Sequence, residues 1–158
     1  MKYIAHRALF QGPDSALENN PSQILLAITK GFDVEIDAWF VDGEWMLGHD
    51  APTYPIPKSF LNDPRMWIHC KNLAALYEIS RSKIRSDFFW HQEDDFTLTS
   101  KGFIWTYPGK PLTQKSVMVM PEWTDLDFAT VTELKCAGIC SDFVEEICES
   151  YAQRPNSD

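Results

Sequence analysis

The sequence has little positive charge and no long hydrophobic run. Its 158 residues contain 14 lysines and arginines against 23 aspartates and glutamates, which gives a net charge of −9. That balance argues against nucleic acid as the main partner, and against an anionic membrane surface. No apolar stretch approaches the ~20 residues that a membrane span needs, so we expect no membrane anchor. A small phosphorylated substrate remains compatible, because a bound divalent cation can reverse the charge locally.

Cysteine pairs, linkers and repeats are also missing. The four cysteines form no CxxC pair, and no secretory signal precedes the first predicted strand. We therefore expect reduced cysteines and a cytoplasmic protein. Seven glycines and ten prolines are spread along a chain that is 44% hydrophobic. This composition predicts a single domain over residues 1–158, and it leaves the oligomeric state open.

A short alternating stretch, residues 33–37, is the clearest chemical signal. It reads Asp-Val-Glu-Ile-Asp, so Glu35 and Asp37 lie on one face of a strand while the apolar residues face the other way. Adjacent carboxylates repel each other unless a cation lies between them, and hard cations such as Mg²⁺ or Ca²⁺ prefer oxygen ligands. The alternative is an exposed strand whose acids meet water. The flanking Phe32, Trp39 and Phe40 favour a buried strand and hence a metal site.

The pattern along the chain is that of strands interrupted by loops and helices. An Asn-Pro pair at residues 20 and 21 begins the first helix, and Gly31 ends it. Asp42-Gly43 between apolar segments predicts a two-residue hairpin, and the proline-rich residues 51–65 are predicted to be a loop. The predicted strands cover residues 2–5, 33–41, 45–47, 66–68, 87–90, 103–105, 117–120 and 138–140, and further helices begin after Asn72, near Asp127 and near Phe143.

Polar residues recur at the carboxyl ends of these strands, as they do in the active sites of parallel (β/α) barrels. All four histidines, His6, His49, His69 and His91, occupy such positions. A complete barrel usually needs ~200 or more residues. The expected fold class is therefore α/β, a compact, trimmed TIM-type (β/α) barrel in which loops replace several helices, with the active site at the carboxyl ends of the strands.

Several of these motifs together resemble the glycerophosphodiester phosphodiesterases, within the phosphatidylinositol-phospholipase-C-like phosphodiesterase superfamily. That family begins with a strand ending in His-Arg-Gly, followed by Pro-Glu-Asn-Thr, a helix, Glu-x-Asp, an Asp-Gly turn and a His-Asp pair. The first third of the chain has similar motifs in the same order, and residues 137–142 resemble the family's closing strand. The matching segments are residues 5–8 (Ala-His-Arg-Ala), 17–20 (Leu-Glu-Asn-Asn), 35–37 (Glu-Ile-Asp), 42–43 (Asp-Gly) and 49–50 (His-Asp).

The resemblance implies a divalent metal bound by Glu35, Asp37 and a third ligand. The family places an acid two residues before a lysine on its third strand, whereas this chain has His69 before Lys71. His69 therefore takes the position of the third ligand, with Glu122 or a water as alternatives. Mg²⁺ or Ca²⁺ is the first expectation, and the imidazole makes Mn²⁺ or Zn²⁺ possible. A second departure is Ala8 in place of the family's glycine.

The expected reaction is hydrolysis of a small, glycerophosphodiester-like phosphodiester. Arg7 offers a planar donor pair and Lys71 a point charge for phosphate oxygens. By resemblance, His6 and His49 act as general acid and base, in an order that stays open. Trp105 and Glu122, next to predicted strand ends, are further candidate substrate-binding residues.

Two other readings remain open at the level of sequence. One is a metal-independent, phospholipase-C-like lyase in which Glu35 and Asp37 bind substrate hydroxyls or a histidine. The other is a non-catalytic module that binds a phosphate ligand, which the short chain favours because it lacks the inserted segments that recognise substrate in larger barrels.

Overall fold

The structure, a computed structural model, describes residues 1–152 and is organised around one curled sheet. Four short α-helices and three 3₁₀ turns, His6–Ala8, Lys58–Asn62 and Pro121–Trp123, accompany the strands of these residues. The helices are α1 (Pro21–Thr29), α2 (Leu73–Ser80), α3 (Phe128–Val131) and α4 (Val144–Ala152). The strands are β1 (Lys2–Ala5), β2 (Asp33–Val41), β3 (Glu44–Leu47), β4 (Tyr54–Ile56), β5 (Met66–Cys70), β6 (Asp87–Phe89), β7 (Phe96–Leu98), β8 (Ile104–Thr106), β9 (Ser116–Val119) and β10 (Gly138–Ser141).

Parallel strands form the middle of the sheet, in the spatial order β6-β5-β2-β1-β10-β9-β8. The far half of β2 also pairs with β3 in an antiparallel hairpin, which β4 extends. At the other end, β7 pairs antiparallel with β8. The carboxyl ends of the parallel strands therefore share one edge, and the polar residues that follow them are brought together there.

The predicted TIM-type barrel is wrong. Strands dominate the described residues, the sheet forms a curled half-barrel, and helices do not alternate regularly with strands. The connection from β8 to β9 is short and contains Pro108, Gly109 and Pro111, so it cannot hold a crossover helix. Polar residues at strand ends are not diagnostic of a barrel, because any parallel sheet places the carboxyl ends of its strands on one edge.

Local predictions in the first half of the chain are confirmed. The Asn20 side chain accepts a hydrogen bond from the Ser22 N–H at 2.9 Å, and Pro21 begins α1. Asp42 and Gly43 both have positive φ, which the tight β2–β3 turn requires. The predicted loop at residues 51–65 was partly wrong, because Tyr54–Ile56 forms the edge strand β4, where Pro55 is tolerated.

Apolar side chains from opposite ends of the sheet meet inside its curve. Trp105 of β8 stacks on Phe89 of β6 with ring centroids 4.6 Å apart, and Trp67 of β5 lies 5.9 Å from Trp105. These rings fill part of the interior of the sheet's curve. Among the described residues, no helix is long and apolar enough to cross a membrane, and all four cysteines are unpaired.

Candidate active site

A cavity of about 180 Å³ opens at the carboxyl ends of the parallel strands. That volume equals roughly six water molecules at ~30 Å³ each, enough for a phosphate group and a small substituent. All four histidines contribute to its lining. The lining residues are His6, Arg7, Glu35, Asp37, His49, His69, His91, Asp94, Trp105, Tyr107, Pro108, Val119, Met120 and Trp123.

The three predicted metal ligands lie next to one another in the lining of this cavity. One ligand atom from each of Glu35, Asp37 and His69 lies within 4.8 Å of the others. Glu35 is 3% exposed and Asp37 is 1% exposed, so the prediction of a buried strand is confirmed. Register explains the grouping, because Asp37 of β2 is directly opposite His69 of β5. Two carboxylates and one imidazole are a donor set that suits a divalent cation.

Each of the two carboxylates is fixed by a second contact. The Arg7 N–H donates to Glu35 Oε2 at 2.9 Å. Asn19 clamps Asp37 twice, since its Nδ2 donates to Asp37 Oδ2 at 2.9 Å and its Oδ1 accepts from the Asp37 N–H at 2.8 Å. Arg7 and Asn19 both have left-handed backbone, with φ of 49° and 55°. Such strain at non-glycine residues is typical of positions that orient a functional group.

His69 is held between two acceptors. Its Nε2 lies 3.0 Å from the carbonyl oxygen of His91, which can only accept, so Nε2 carries a proton. Its Nδ1 lies 3.1 Å from Asp37 Oδ1. Two states satisfy this geometry: an imidazolium paired with Asp37, or a neutral ring whose Nδ1 lone pair shares a cation with Asp37. Adjacent ligands of a six-coordinate ion with bonds of about 2.1 Å lie about 3 Å apart, which matches the observed separation.

The two carboxyl groups have opposite pKa shifts. Burial, followed by the charge of Asp37, raises the pKa of Glu35. Burial also favours a raised pKa for Asp37, but the hydrogen bond and charge of His69, with Lys71 and Asn19, hold the pKa of this carboxyl well below its usual range. Asp37 is therefore charged near neutral pH, and Glu35 is the group whose charge a cation would most stabilise.

Arg7 and Lys71 neutralise this acidic centre in different ways. Arg7 Nε lies 3.7 Å from Asp37 Oδ2, is buried and has no hydrogen-bond partner in the described structure, while Arg7 Nη1 donates to Glu18 Oε2 at 3.2 Å. Lys71 Nζ lies 3.4 Å from Asp37 Oδ1. Arg7 lines the cavity and Lys71 does not. The expected role of Arg7 as a phosphate-binding group fits its position, whereas Lys71 lies behind Asp37.

His6 is paired with Asp142, a contact that the sequence did not predict. Asp142 Oδ1 lies 2.8 Å from His6 Nδ1. Burial by itself lowers the pKa of His6, but the Asp142 hydrogen bond and the charge of Glu35 outweigh it, so the pKa is raised. With Nδ1 engaged, Nε2 is the nitrogen left for proton transfer. The only sequence signal for this pair was the position of Asp142 at the end of the last strand.

Glu122 does not line the cavity, contrary to the expectation of a substrate-binding residue or third ligand. Its carboxylate accepts from Ser141 Oγ and from the Asp142 N–H, each at 2.9 Å. Burial raises the pKa of Glu122. The structure thus makes Glu122 a support for Asp142, and through it for His6.

The remaining predicted residues reach the cavity from loops and strand ends. His49 lies after β3 with its Nδ1 2.7 Å from Asp50 Oδ1, and Trp105 lines the cavity from its place between the rings of Phe89 and Trp67. Trp123, which also lies beside a predicted strand end, lines the cavity, as do Asp94 and Tyr107, for which the sequence indicated no site role. No protein-family model, curated protein or solved structure matches this chain.

Proposed function

We propose that the protein is a metal-dependent phosphodiesterase of the glycerophosphodiesterase type, hydrolysing a small, soluble phosphodiester. The observation that carries the proposal is the buried Glu35–Asp37–His69 cluster, whose ligand atoms lie within 4.8 Å of one another beside Arg7 and His6. When bound, the metal supplies Lewis-acid stabilisation of negative charge on the phosphoryl group. The resemblance of the first third of the chain to that family agrees with this assignment.

The protein's own residues divide the remaining work. Arg7 directs its guanidinium at the phosphate, because Nε is buried beside the cavity without a hydrogen bond and Nη1 is already paired with Glu18. His6 moves a proton at Nε2 while Asp142 holds its Nδ1. His49, on the loop after β3, is the partner acid or base. Glu35 and Asp37 hold the metal, and Asn19 fixes Asp37.

The imidazole ligand shifts the expected metal preference. Ca²⁺ and Mg²⁺ favour oxygen ligands, whereas Mn²⁺ accepts a nitrogen in a mixed site. We therefore place Mn²⁺ ahead of Mg²⁺ and Ca²⁺. A cytoplasmic location is part of the same proposal, because the substrate is diffusible and the four cysteines are unpaired.

Metal-dependent hydrolysis is the direct test. The purified protein is incubated with bis(p-nitrophenyl) phosphate and with a panel of glycerophosphodiesters, in Mn²⁺, Mg²⁺, Ca²⁺ or EDTA. We expect turnover that EDTA abolishes and Mn²⁺ restores most strongly. Glu35→Gln should raise the Mn²⁺ concentration for half-maximal rate by 10-fold or more, whereas the exposed Glu93→Gln should leave it unchanged. No turnover of any substrate with any metal would contradict the proposal and favour a non-catalytic module that binds a phosphate ligand.

A second candidate, a metal-independent lyase, is favoured by one specific observation. Arg7 and Lys71 lie 3.7 Å and 3.4 Å from the carboxylate of Asp37, so its charge is compensated by the protein itself. In that reading His69 is an imidazolium paired with Asp37 rather than a ligand. Turnover that is unaffected by EDTA, with a cyclic phosphate as product, would establish the lyase.

A further inference from the structure

The two walls of the cavity differ in chemistry. Its titratable side chains come largely from the ends of β1, β2, β5 and β6, on one side of the curled sheet. The ends of β8 and β9 supply an apolar wall that consists of Trp105, Tyr107, Pro108, Val119, Met120 and Trp123. A phosphate and its metal use only the charged wall. The apolar wall is therefore available to a different part of the ligand.

The aromatic residues of this wall expose large apolar surfaces. Trp123 is 62% exposed and Tyr107 is 45% exposed, while Trp105 is buried and held by its stack on Phe89. Each Å² of apolar surface that a ligand removes from water stabilises the complex by ~25 cal/mol, so exposed aromatic rings favour binding of an apolar group. Two exposed rings beside a fixed third, all lining one cavity, are a common arrangement for binding an apolar group.

Trp123, which lines the cavity, comes shortly after a residue with left-handed backbone. Met120 has left-handed backbone with φ of 46°, which is costly for a non-glycine residue. It is followed by the 3₁₀ turn Pro121–Trp123, in which the Trp123 N–H donates to the Met120 carbonyl at 3.0 Å. The Thr124 N–H and hydroxyl both bond the Pro121 carbonyl, which fixes the end of the turn.

We propose that one ester group of the substrate is apolar, an aryl or alkyl group that packs against Trp105, Tyr107 and Trp123 while the phosphate lies at Arg7 and the metal cluster. This inference rests on the proposed function and narrows its substrate class. An esterified glycerol group carries two free hydroxyls, and the apolar wall would leave those hydroxyls without partners. Recognition by this wall thus selects against a bare polyol ester.

Binding of simple phosphate monoesters tests the inference without any turnover. Isothermal titration calorimetry in Mn²⁺ compares phenyl phosphate, butyl phosphate, methyl phosphate and glycerol 3-phosphate. We expect phenyl or butyl phosphate to bind at least 10-fold more tightly than the methyl and glycerol esters. Tighter binding of phenyl phosphate than of butyl phosphate would indicate a flat aryl group in the substrate, and the reverse would indicate a flexible alkyl chain.

Substitution of Trp123 assigns the preference to the wall. Trp123→Ala should reduce the preference for the apolar esters about 5-fold or more and leave methyl phosphate binding unchanged, while Trp123→Phe should retain most of it. Tyr77→Ala removes a similarly exposed ring on α2, outside the cavity, and should change nothing. Circular dichroism checks that each variant is folded.

Several outcomes would overturn the inference: tightest binding by glycerol 3-phosphate, equal binding of all four esters, no binding of any, or a preference unchanged by Trp123→Ala. Failure of the proposed function is distinguishable, because the binding order can hold in a protein that hydrolyses no diester. Conversely, equal kcat/KM values for methyl and phenyl diesters would leave the phosphodiesterase proposal intact and contradict the inference of an apolar ester group.

Discussion

Residues 1–80, the N-terminal region, and residues 81–142, the C-terminal region, contribute to one cavity by different means. In the N-terminal region, helices α1 and α2 connect parallel strands, and β2 is nine residues long. In the C-terminal region no α-helix lies between residues 81 and 126, and strands β6 to β9 have three or four residues each. The N-terminal region supplies most of the charged groups of the cavity, while the C-terminal region supplies the apolar wall together with His91 and Asp94.

The C-terminal region replaces helical packing with a buried carboxylate. Asp87 of β6 accepts hydrogen bonds from Thr99 Oγ1 at 2.7 Å, Ser100 Oγ at 2.6 Å and the Lys101 N–H at 3.0 Å. The Ser100 N–H also donates to the Phe88 carbonyl at 2.9 Å. These bonds fasten the turn after β7 to the end of the sheet at β6. The Asp87 side chain thus holds this segment in place, a function that backbone hydrogen bonds or an apolar helix face serve in the N-terminal region.

The largest expected effect tests the contact that joins the two regions. Under the proposed function, His6→Ala should lower kcat about 1,000-fold, because general acid–base catalysis contributes roughly 10²- to 10⁴-fold. Steady-state hydrolysis of bis(p-nitrophenyl) phosphate measures it, with circular dichroism to verify folding. A folded His6→Ala protein with full activity would exclude His6 from proton transfer.

Asp142→Asn then shows which role His6 has. Because Asp142 raises the pKa of His6, its removal should shift one limb of the pH–rate profile to lower pH. Movement of the acidic limb identifies His6 as the base, and movement of the alkaline limb identifies it as the acid.

The second effect concerns stability in the C-terminal region. Asp87→Ala leaves the buried Thr99 hydroxyl without its acceptor and removes the acceptor of the part-buried Ser100 and Lys101 donors, so we expect a loss of about 3 kcal/mol in the free energy of unfolding. Urea denaturation measures it. The exposed Glu93→Ala is the matched control, with a change below about 0.5 kcal/mol. If the two variants unfold at the same urea concentration, the turn after β7 is held by something other than Asp87.

The sequence predicts most of the local structure of the N-terminal region and the grouping of its acidic residues with His69. The first strand–helix–strand unit and the hairpin follow from local signals, namely the Asn20 cap, the Gly31 stop and the Asp42-Gly43 turn. The grouping of Glu35, Asp37 and His69 also follows, because alternation fixes the strand face and parallel strands end on one edge. These are properties of neighbouring residues or of sheet geometry in general.

Contacts between distant side chains could not be predicted in this way. Asp142 and His6 are 136 residues apart, and Asn19 reaches Asp37 only because its own backbone is left-handed. The sequence also does not predict the direction of a side chain at a strand end. Glu122 was expected at the cavity, but its carboxylate accepts a hydrogen bond from Ser141. The barrel prediction failed for a related reason, since strand-end polarity reports parallel pairing but carries no information about helices.

The smallest expected effect is a pH dependence of stability that has opposite signs in the two regions. The pKa of His6, in the N-terminal region, is raised, so its contribution is present below the unfolded value of about 6.5 and is lost as pH rises through the folded pKa. The pKa of His91, in the C-terminal region, is lowered by burial and by His69, so its contribution is present above about 6.5 and is lost as pH falls through the folded pKa.

Two glutamine variants separate these contributions. Relative to wild type in EDTA, His6→Gln should flatten the free energy of unfolding above pH 6.5, and His91→Gln should flatten it below pH 6.5. Urea denaturation at intervals from pH 5 to 8 gives both curves, and EDTA keeps metal binding from adding its own pH dependence. Parallel curves for both variants and wild type would mean that neither ring changes its pKa on folding. Flattening on the same side for both would show that the pKa values of the two histidines shift in the same direction on folding, which contradicts the predicted opposite signs.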